Sequence, residues 1–154
     1  MDHCRDFYLE AIDPLPHVMP VTLGKTVQII CYIGMNHPGN ILNRWSHSRI
    51  LNYVNNNPVI WSYNIHTTVE SSSFGSELVA LRIATELVED LRYKLRCFGI
   101  PLDGPANIFC DNKDVVMDVS GPTLMSNKCH NAIFYHHMQG LKATGKIQVK
   151  YSPG

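Results

Sequence analysis

The pattern of apolar and polar positions divides the chain into alternating strand and helix segments. Residues 27–33 are a run of β-branched and apolar residues typical of a buried strand. Residues 48–54 and 58–63 are two further strand candidates. The asparagines at 55–57 between them tolerate turn geometry, so these two strands are expected to form a hairpin.

A long helix is predicted after the serines at 71–73, which are N-cap candidates. Apolar residues then recur at steps of three and four and form one stripe: Phe74, Leu78, Leu81, Ala84, Val88, Leu91, Leu95 and Phe98. Charged residues, among them Arg92 and Arg96, fall off this stripe and are expected to be solvated. Gly99 is well placed to end the helix.

The remaining pattern predicts a strand at 106–110, helices at 112–120 and 125–143, and a strand with one wet face at 146–151. The element order is therefore β-β-β-α-β-α-α-β, which is typical of a mixed α/β layer fold. Residues 1–26 contain three prolines and little periodicity. We expect them to be a loosely packed linker or lead-in before a domain at 27–154.

The composition argues against several classes of protein. Lys plus Arg and Asp plus Glu both number 13, and a formal net charge of zero argues against tight autonomous binding of nucleic acid. The five cysteines form no CxxC pair, which favours free thiols in a reducing compartment, with Cys31, Cys97 and Cys110 as core residues. Without a signal peptide or an apolar run of membrane-spanning length, we expect a soluble intracellular protein of the cytoplasm or nucleus, with no membrane partner.

Four segments carry a more specific signal. They are TVESSSFGSELVA at 68–80, FCDNKDVV at 109–116, KCHNAIFYH at 128–136 and NYVNNNPVIW at 52–61. In this order and spacing they resemble the RNase H domain of a copia-type retrotransposon polyprotein, over roughly residues 27–151. The resemblance implies an RNase H-like fold, a mixed sheet with flanking helices.

The resemblance also implies a chemistry. In this family four carboxylates hold two Mg²⁺ ions that promote hydrolysis of the RNA strand of an RNA–DNA hybrid. Two residues match directly and are implied to be catalytic metal ligands: Glu77, expected in the first turn of the long helix, and Asp111, at the carboxyl end of a strand. Judged from position alone, they could equally be a solvated helix-start glutamate and an N-cap aspartate. The implied partners are the hybrid and the reverse transcriptase domain of the same polyprotein.

Departures from the family pattern predict a degenerate copy. Gly34 stands where the family has its first aspartate, and the last aspartate segment, expected beyond the final strand, is missing, so we expect C-terminal truncation. Mg²⁺ binding should then be weak or absent, and activity slight. The alternatives are a still-active ribonuclease with a substituted ligand such as Asn36, and a non-catalytic nucleic-acid-binding or reverse-transcriptase-associated structural module.

Other constellations are weaker. A zinc site from His130, His136 and His137, with Cys129 beside them, is disfavoured, because the spacing of six residues from His130 to His136 does not align the two on one helix face. The lysines near the final strand are either a small basic face or scattered surface charges: Lys128, Lys142, Lys146 and Lys150. Trp45 and Trp61 are expected to be packing residues.

Overall fold

The structure is a computed structural model that describes Tyr8 and residues 12–13, 15–36, 46–66, 73–121 and 129–153. Eight elements follow one another as predicted. They are β1 (Ile29–Asn36), β2 (Ser46–Val54), β3 (Asn57–His66), α1 (Ser73–Cys97), β4 (Ala106–Cys110), α2 (Lys113–Ser120), α3 (Cys129–Ala143) and β5 (Ile147–Tyr151). The predicted order and the mixed α/β class are confirmed. The predicted start of the last helix at residue 125 lies outside the described residues.

The five strands form one sheet in the order β3-β2-β1-β4-β5. The first three strands pair antiparallel, and β4 pairs parallel with both β1 and β5. The predicted hairpin between β2 and β3 is confirmed. Its turn uses Asn55 at a φ of 56°, a conformation that asparagine tolerates better than most residues. The Asn55 side chain also accepts a hydrogen bond from the Gln28 amide at 2.9 Å.

One core joins the helices to the inward side of the sheet. The stripe of α1 supplies its fully buried centre, including Leu81, Ala84 and Val88, against Cys31 and Ile108 of the central strands. Removing this apolar surface from water is the main stabilising contribution of such a layer. The predicted stripe is too long by one residue, because Phe98 follows the end of α1 and is 67% exposed. None of the helices in the described part of the chain is long and apolar enough to cross a membrane.

The opposite side of the sheet carries exposed aromatic residues. Trp61 is 77% exposed, so its expected packing role is wrong, while Trp45 lies outside the described residues. Tyr63 and Tyr32 are also exposed on these strands. Alternation along a strand sends every second side chain to the side that α1 does not cover, and Trp61 falls on that side.

Gly99 ends α1 as predicted and also meets the lead-in. Its φ is +73°, and the amide of Ile100 bonds the carbonyl of Leu95 at 2.9 Å. A Cβ at this position would lie 2.6 Å from the carbonyl oxygen of Val21, so only glycine allows this approach. The Leu23 amide donates to the Gly99 carbonyl at 2.8 Å. This part of the lead-in is therefore attached to the end of α1, more closely than the expected loose packing.

The expectation that Arg92 and Arg96 are solvated is wrong. Arg92 is only 6% exposed, and both guanidinium groups pair with the carboxylate of Asp13. Partial burial alone would raise the pKa of Asp13, but Arg96 above all, with Lys146 and Arg92, holds that pKa below its ordinary value. A residue of the lead-in thus neutralises cations on the long helix.

We expect Asp13→Asn to lower the free energy of unfolding at pH 7 by about 1–2 kcal/mol, because it removes a partly buried charged partner. Since the folded pKa of Asp13 lies below the unfolded value of about 3.9, its contribution is complete at neutral pH and fades as the pH falls through the folded pKa. Urea unfolding in phosphate-free buffer at both ends of this range measures the difference. Asp90→Asn, which breaks only the exposed pair with Lys94, is the matched control and should cost less than about 0.5 kcal/mol. An equal loss in Asp13→Asn at pH 7 and at about pH 2.5 would contradict this assignment.

The cysteines give a second test of the fold. Burial raises the pKa of Cys31 to about 12, and Cys110 is buried as well, whereas Cys97 is exposed and not the core residue expected. In a chain carrying Cys4→Ser and Cys129→Ser, we expect a thiol reagent to label Cys97 in the native state at least about 100-fold faster than Cys31 or Cys110. Adding Cys97→Ser should leave no fast phase, and fast labelling in that variant would show that the core is not packed as described.

Candidate metal site

Glu77 lies at the side of α1 that faces the sheet. It is one turn into the helix rather than in the first turn, since α1 begins at Ser73. Leu78 and Leu81 are buried beside it, and Glu77 itself is only 8% exposed. The position is therefore not that of a solvated helix-start glutamate.

Asp111 directly follows Cys110, the last residue of β4. The helix after it is capped by Asn112, whose side-chain oxygen accepts bonds from the amides of Asp114 at 2.8 Å and Val115 at 3.2 Å. Asp111 is thus not the N-cap, and its exposed carboxylate does not hold the start of α2. The cap holds the backbone between β4 and α2, and so the position of Asp111.

The structure brings the two sequence-predicted residues together with a third. Ligand atoms of Glu77, Cys110 and Asp111 all lie within 4.8 Å of one another. Carboxylate oxygens at this separation can share one divalent cation, and Mg²⁺ prefers oxygen ligands. Their role as ligands stays a prediction.

Cys110 was not predicted to belong to this group. It looked like a core residue, and it is 1% exposed. Burial chiefly raises the pKa of its thiol, and the neighbouring charges of Glu77 and Asp111 add to this. The last inward residue of a strand that ends at a site can belong both to the core and to the site, and strand alternation was the signal that could have shown it.

Gly34 lies near the end of β1, the strand that pairs with β4. Ile33 pairs with Cys110 across the parallel strands, so Gly34 is one step further, level with Asp111. A Cβ built on Gly34 meets nothing within 4 Å. The residues present suit one cation bound by Glu77 and Asp111, and a side chain at position 34 would meet open space. A metal bound here would supply charge neutralisation for an anionic substrate.

The other candidate ligands and charges are placed elsewhere. His137 pairs with Glu89 at 3.0 Å, and His136 bonds the hydroxyl of Tyr8 at 2.7 Å, while the side chains of Cys129 and His130 lie outside the described residues. Lys146 is engaged by Asp13 and Glu89. Lys142 lies 3.5 Å from the Val119 carbonyl. These two lysines are thus bound within the domain and do not form a free basic face, and Lys128 lies outside the described residues.

No protein-family model matches the chain, and no curated protein matches its sequence.

Solved structures of RNase H domains share its fold. LC11-RNase H1, solved in complex with an RNA/DNA hybrid, matches with a TM-score of 0.61 at 16% identity, over 82% of this chain and 86% of that chain. RNase H1 from the halophilic archaeon Halobacterium salinarum matches with a TM-score of 0.55 at 13% identity, over 82% and 86%. The prototype foamy virus protease-reverse transcriptase matches with a TM-score of 0.55 at 10% identity, over 88% of this chain and 18% of that chain. The expected RNase H-like fold is therefore confirmed.

We expect Gly34→Asp to fold and to bind Mg²⁺ about tenfold more tightly than the unmodified chain, a gain of about 1.4 kcal/mol from one added carboxylate. Without metal, the added charge should repel Asp111 and lower the melting temperature, and Mg²⁺ should restore it. Calorimetric titration with Mg²⁺ and thermal unfolding measure both effects.

Two variants control this test. Adding Glu77→Gln to Gly34→Asp should cancel the gain in affinity, whereas adding Asp114→Asn, which removes an exposed carboxylate outside the cluster, should not. Equal Mg²⁺ affinity in Gly34→Asp and the unmodified chain would show that position 34 does not face the ion.

Proposed function

We propose that this chain is a degenerate RNase H domain of a copia-type retrotransposon polyprotein, whose ancestral role is Mg²⁺-dependent hydrolysis of the RNA strand of RNA–DNA hybrids. The observation that carries the proposal is the meeting of Glu77 and Asp111 beside Gly34, with ligand atoms of the two acidic residues within 4.8 Å. The motifs that resemble the family supply these same two residues. The RNase H fold supports the placement, and LC11-RNase H1, which shares it, was solved with an RNA/DNA hybrid.

The degeneracy rests on the residue at position 34. A two-metal hydrolase must stabilise both the attacking and the leaving oxygen at a phosphate, which requires two cations held at a fixed spacing. Glycine offers no side-chain ligand, so Glu77 and Asp111 are the carboxylates among the described residues that remain to hold a single ion. Each loss of about 1.4 kcal/mol in transition-state stabilisation slows the reaction tenfold, so activity should fall by several powers of ten.

The fold itself does not need the missing carboxylate. The core is formed by apolar residues of α1, β1 and β4, such as Leu81, Ile33 and Ile108. Removing one of several carboxylates that crowd a site lowers the charge repulsion there and does not disturb the packing of the core. A chain of this kind keeps its structure after it loses its activity.

A non-catalytic role is the second candidate, and one observation favours it. The sheet face that carries Tyr32, Trp61 and Tyr63 is exposed and aromatic, with Arg49 beside these rings. Exposed apolar patches of this kind mark interaction surfaces, and aromatic rings near cations can contact nucleic acid or a neighbouring protein such as a reverse transcriptase domain. Salt-dependent titration of an RNA–DNA hybrid, with Trp61→Ala and Glu77→Gln compared, separates binding by this face from binding at the metal site.

We expect the unmodified chain to leave an RNA–DNA hybrid uncut with Mg²⁺. Gly34→Asp should cleave its RNA strand, because a further carboxylate joins Glu77 and Asp111. Cleavage of a labelled hybrid is followed on denaturing gels. Glu77→Gln in the restored chain should lower the rate by at least about 100-fold, a loss of about 2.7 kcal/mol. Robust Mg²⁺-dependent cleavage by the unmodified chain, abolished by Glu77→Gln, would overturn the proposed degeneracy.

A further inference from the structure

A cleft beside the C-terminal half of α1 gathers cationic side chains around one carboxylate. Its volume is about 290 Å³. The residues that line it are Asp13, Glu89, Asp90, Arg92, Tyr93, Arg96 and Lys146. Arg92 stands 15 residues after Glu77 on the same helix, which is about 22 Å along the axis at a rise of about 1.5 Å per residue. The cleft is therefore separate from the candidate metal site.

Three cations converge on the carboxylate of Asp13. Arg96 hydrogen-bonds its Oδ2, Arg92 Nη2 lies 3.8 Å from the same oxygen, and Lys146 Nζ lies 3.7 Å from Oδ1. The side chains of Arg92, Arg96 and Lys146 are 7%, 17% and 14% exposed. Both carboxylate oxygens thus face cations that are largely withdrawn from water, where charge interactions are strong.

Arg92 is built into the wall of the cleft. Its Nη1 donates to the Gly104 carbonyl at 2.9 Å, which holds the guanidinium in place. Its Nε finds no acceptor among the residues that the structure describes. A buried cation with an unused donor is costly unless an anion lies beside it.

The anions at the cleft do not balance the cations once Asp13 is removed. Asp90 is paired with Lys94 at 2.6 Å, outside the group of three. Glu89 contacts Lys146 at 3.4 Å and is shared with His137 at 3.0 Å. Among the described residues, Arg92, Arg96 and Lys146 would then face a single carboxylate, that of Glu89.

We propose that this cleft is an oxyanion-binding site, that Asp13 fills it as a tethered carboxylate, and that a phosphate group competes with Asp13 for it. Arginine forks match the oxygens of phosphate as they match those of a carboxylate. Of the described residues near Asp13, Ile12 is 80% exposed and Val18 is 83% exposed, so these side chains lie outside the core. Asp13 can therefore leave the cleft without opening the core.

The test is a calorimetric titration of inorganic phosphate at constant ionic strength into the unmodified chain and into Asp13→Asn. Phosphate can bind only while Asp13 is out of the cleft. If Asp13 fills the cleft about 90% of the time, the apparent affinity for phosphate is about tenfold weaker than that of the open cleft. We expect Asp13→Asn to bind phosphate about tenfold more tightly than the unmodified chain. Adding Arg96→Gln to Asp13→Asn should abolish the gain.

Asp90→Asn is the matched control, since it makes the same change of charge at the rim of the same cleft. A second probe, a short single-stranded RNA, distinguishes the source of the phosphate. Tightening for both probes in Asp13→Asn supports a nucleic-acid backbone as the ligand, and tightening for inorganic phosphate alone supports a small oxyanion.

A measurement on the unmodified chain keeps the proposal testable should Asp13→Asn fold poorly. Saturating phosphate should move the carboxyl carbon resonance of Asp13 toward that of an exposed aspartate, because the side chain leaves its cationic partners. An unmoved Asp13 resonance at saturating phosphate would overturn the proposal. So would an unchanged phosphate affinity in Asp13→Asn, or an equal gain in Asp90→Asn.

Discussion

The parallel pairing of β1 with β4, under the apolar stripe of α1, is the constraint on which the rest of the structure depends. Ile33 pairs with Cys110 in the middle of the sheet, and Leu81 and Ala84 of α1 are fully buried. Because the strands are parallel, their carboxyl ends meet at one edge. The same packing fixes the rotation of α1 and so turns Glu77 toward that edge.

The core therefore does not depend on the charged residues at this edge. Burial of apolar surface holds α1 on the sheet, whereas the carboxylates at the edge add charge repulsion that a bound cation would relieve. Gly34 sits in that edge with open space beside its backbone, and nothing in the described packing depends on a side chain there. A change of residue at this position would leave the core unchanged.

The C-terminal half of α1 depends on charge pairing. A guanidinium that is only 6% exposed, that of Arg92, requires a partner, and the partner comes from the lead-in rather than from the core of the domain. Asp13 thereby joins the charge balance of the long helix although Ile12 and Leu15 near it are exposed. The segment before β1 is attached at several points, among them Asp13 and the backbone of Leu23 against Gly99.

The sequence by itself determined the element order, the asparagine turn, the helix stop at Gly99 and the placing of Glu77 and Asp111 at one edge. These follow from local periodicity, turn chemistry and short motifs, which act over a few residues. Only the tertiary structure decided that Trp61 is exposed, that Asn112 rather than Asp111 caps α2, and that Cys110 joins the carboxylates. It also decided that Arg96 pairs with Asp13, 83 residues away. Periodicity shows which face of an element is apolar, but what lies against that face, or against a charge, depends on residues distant in the chain.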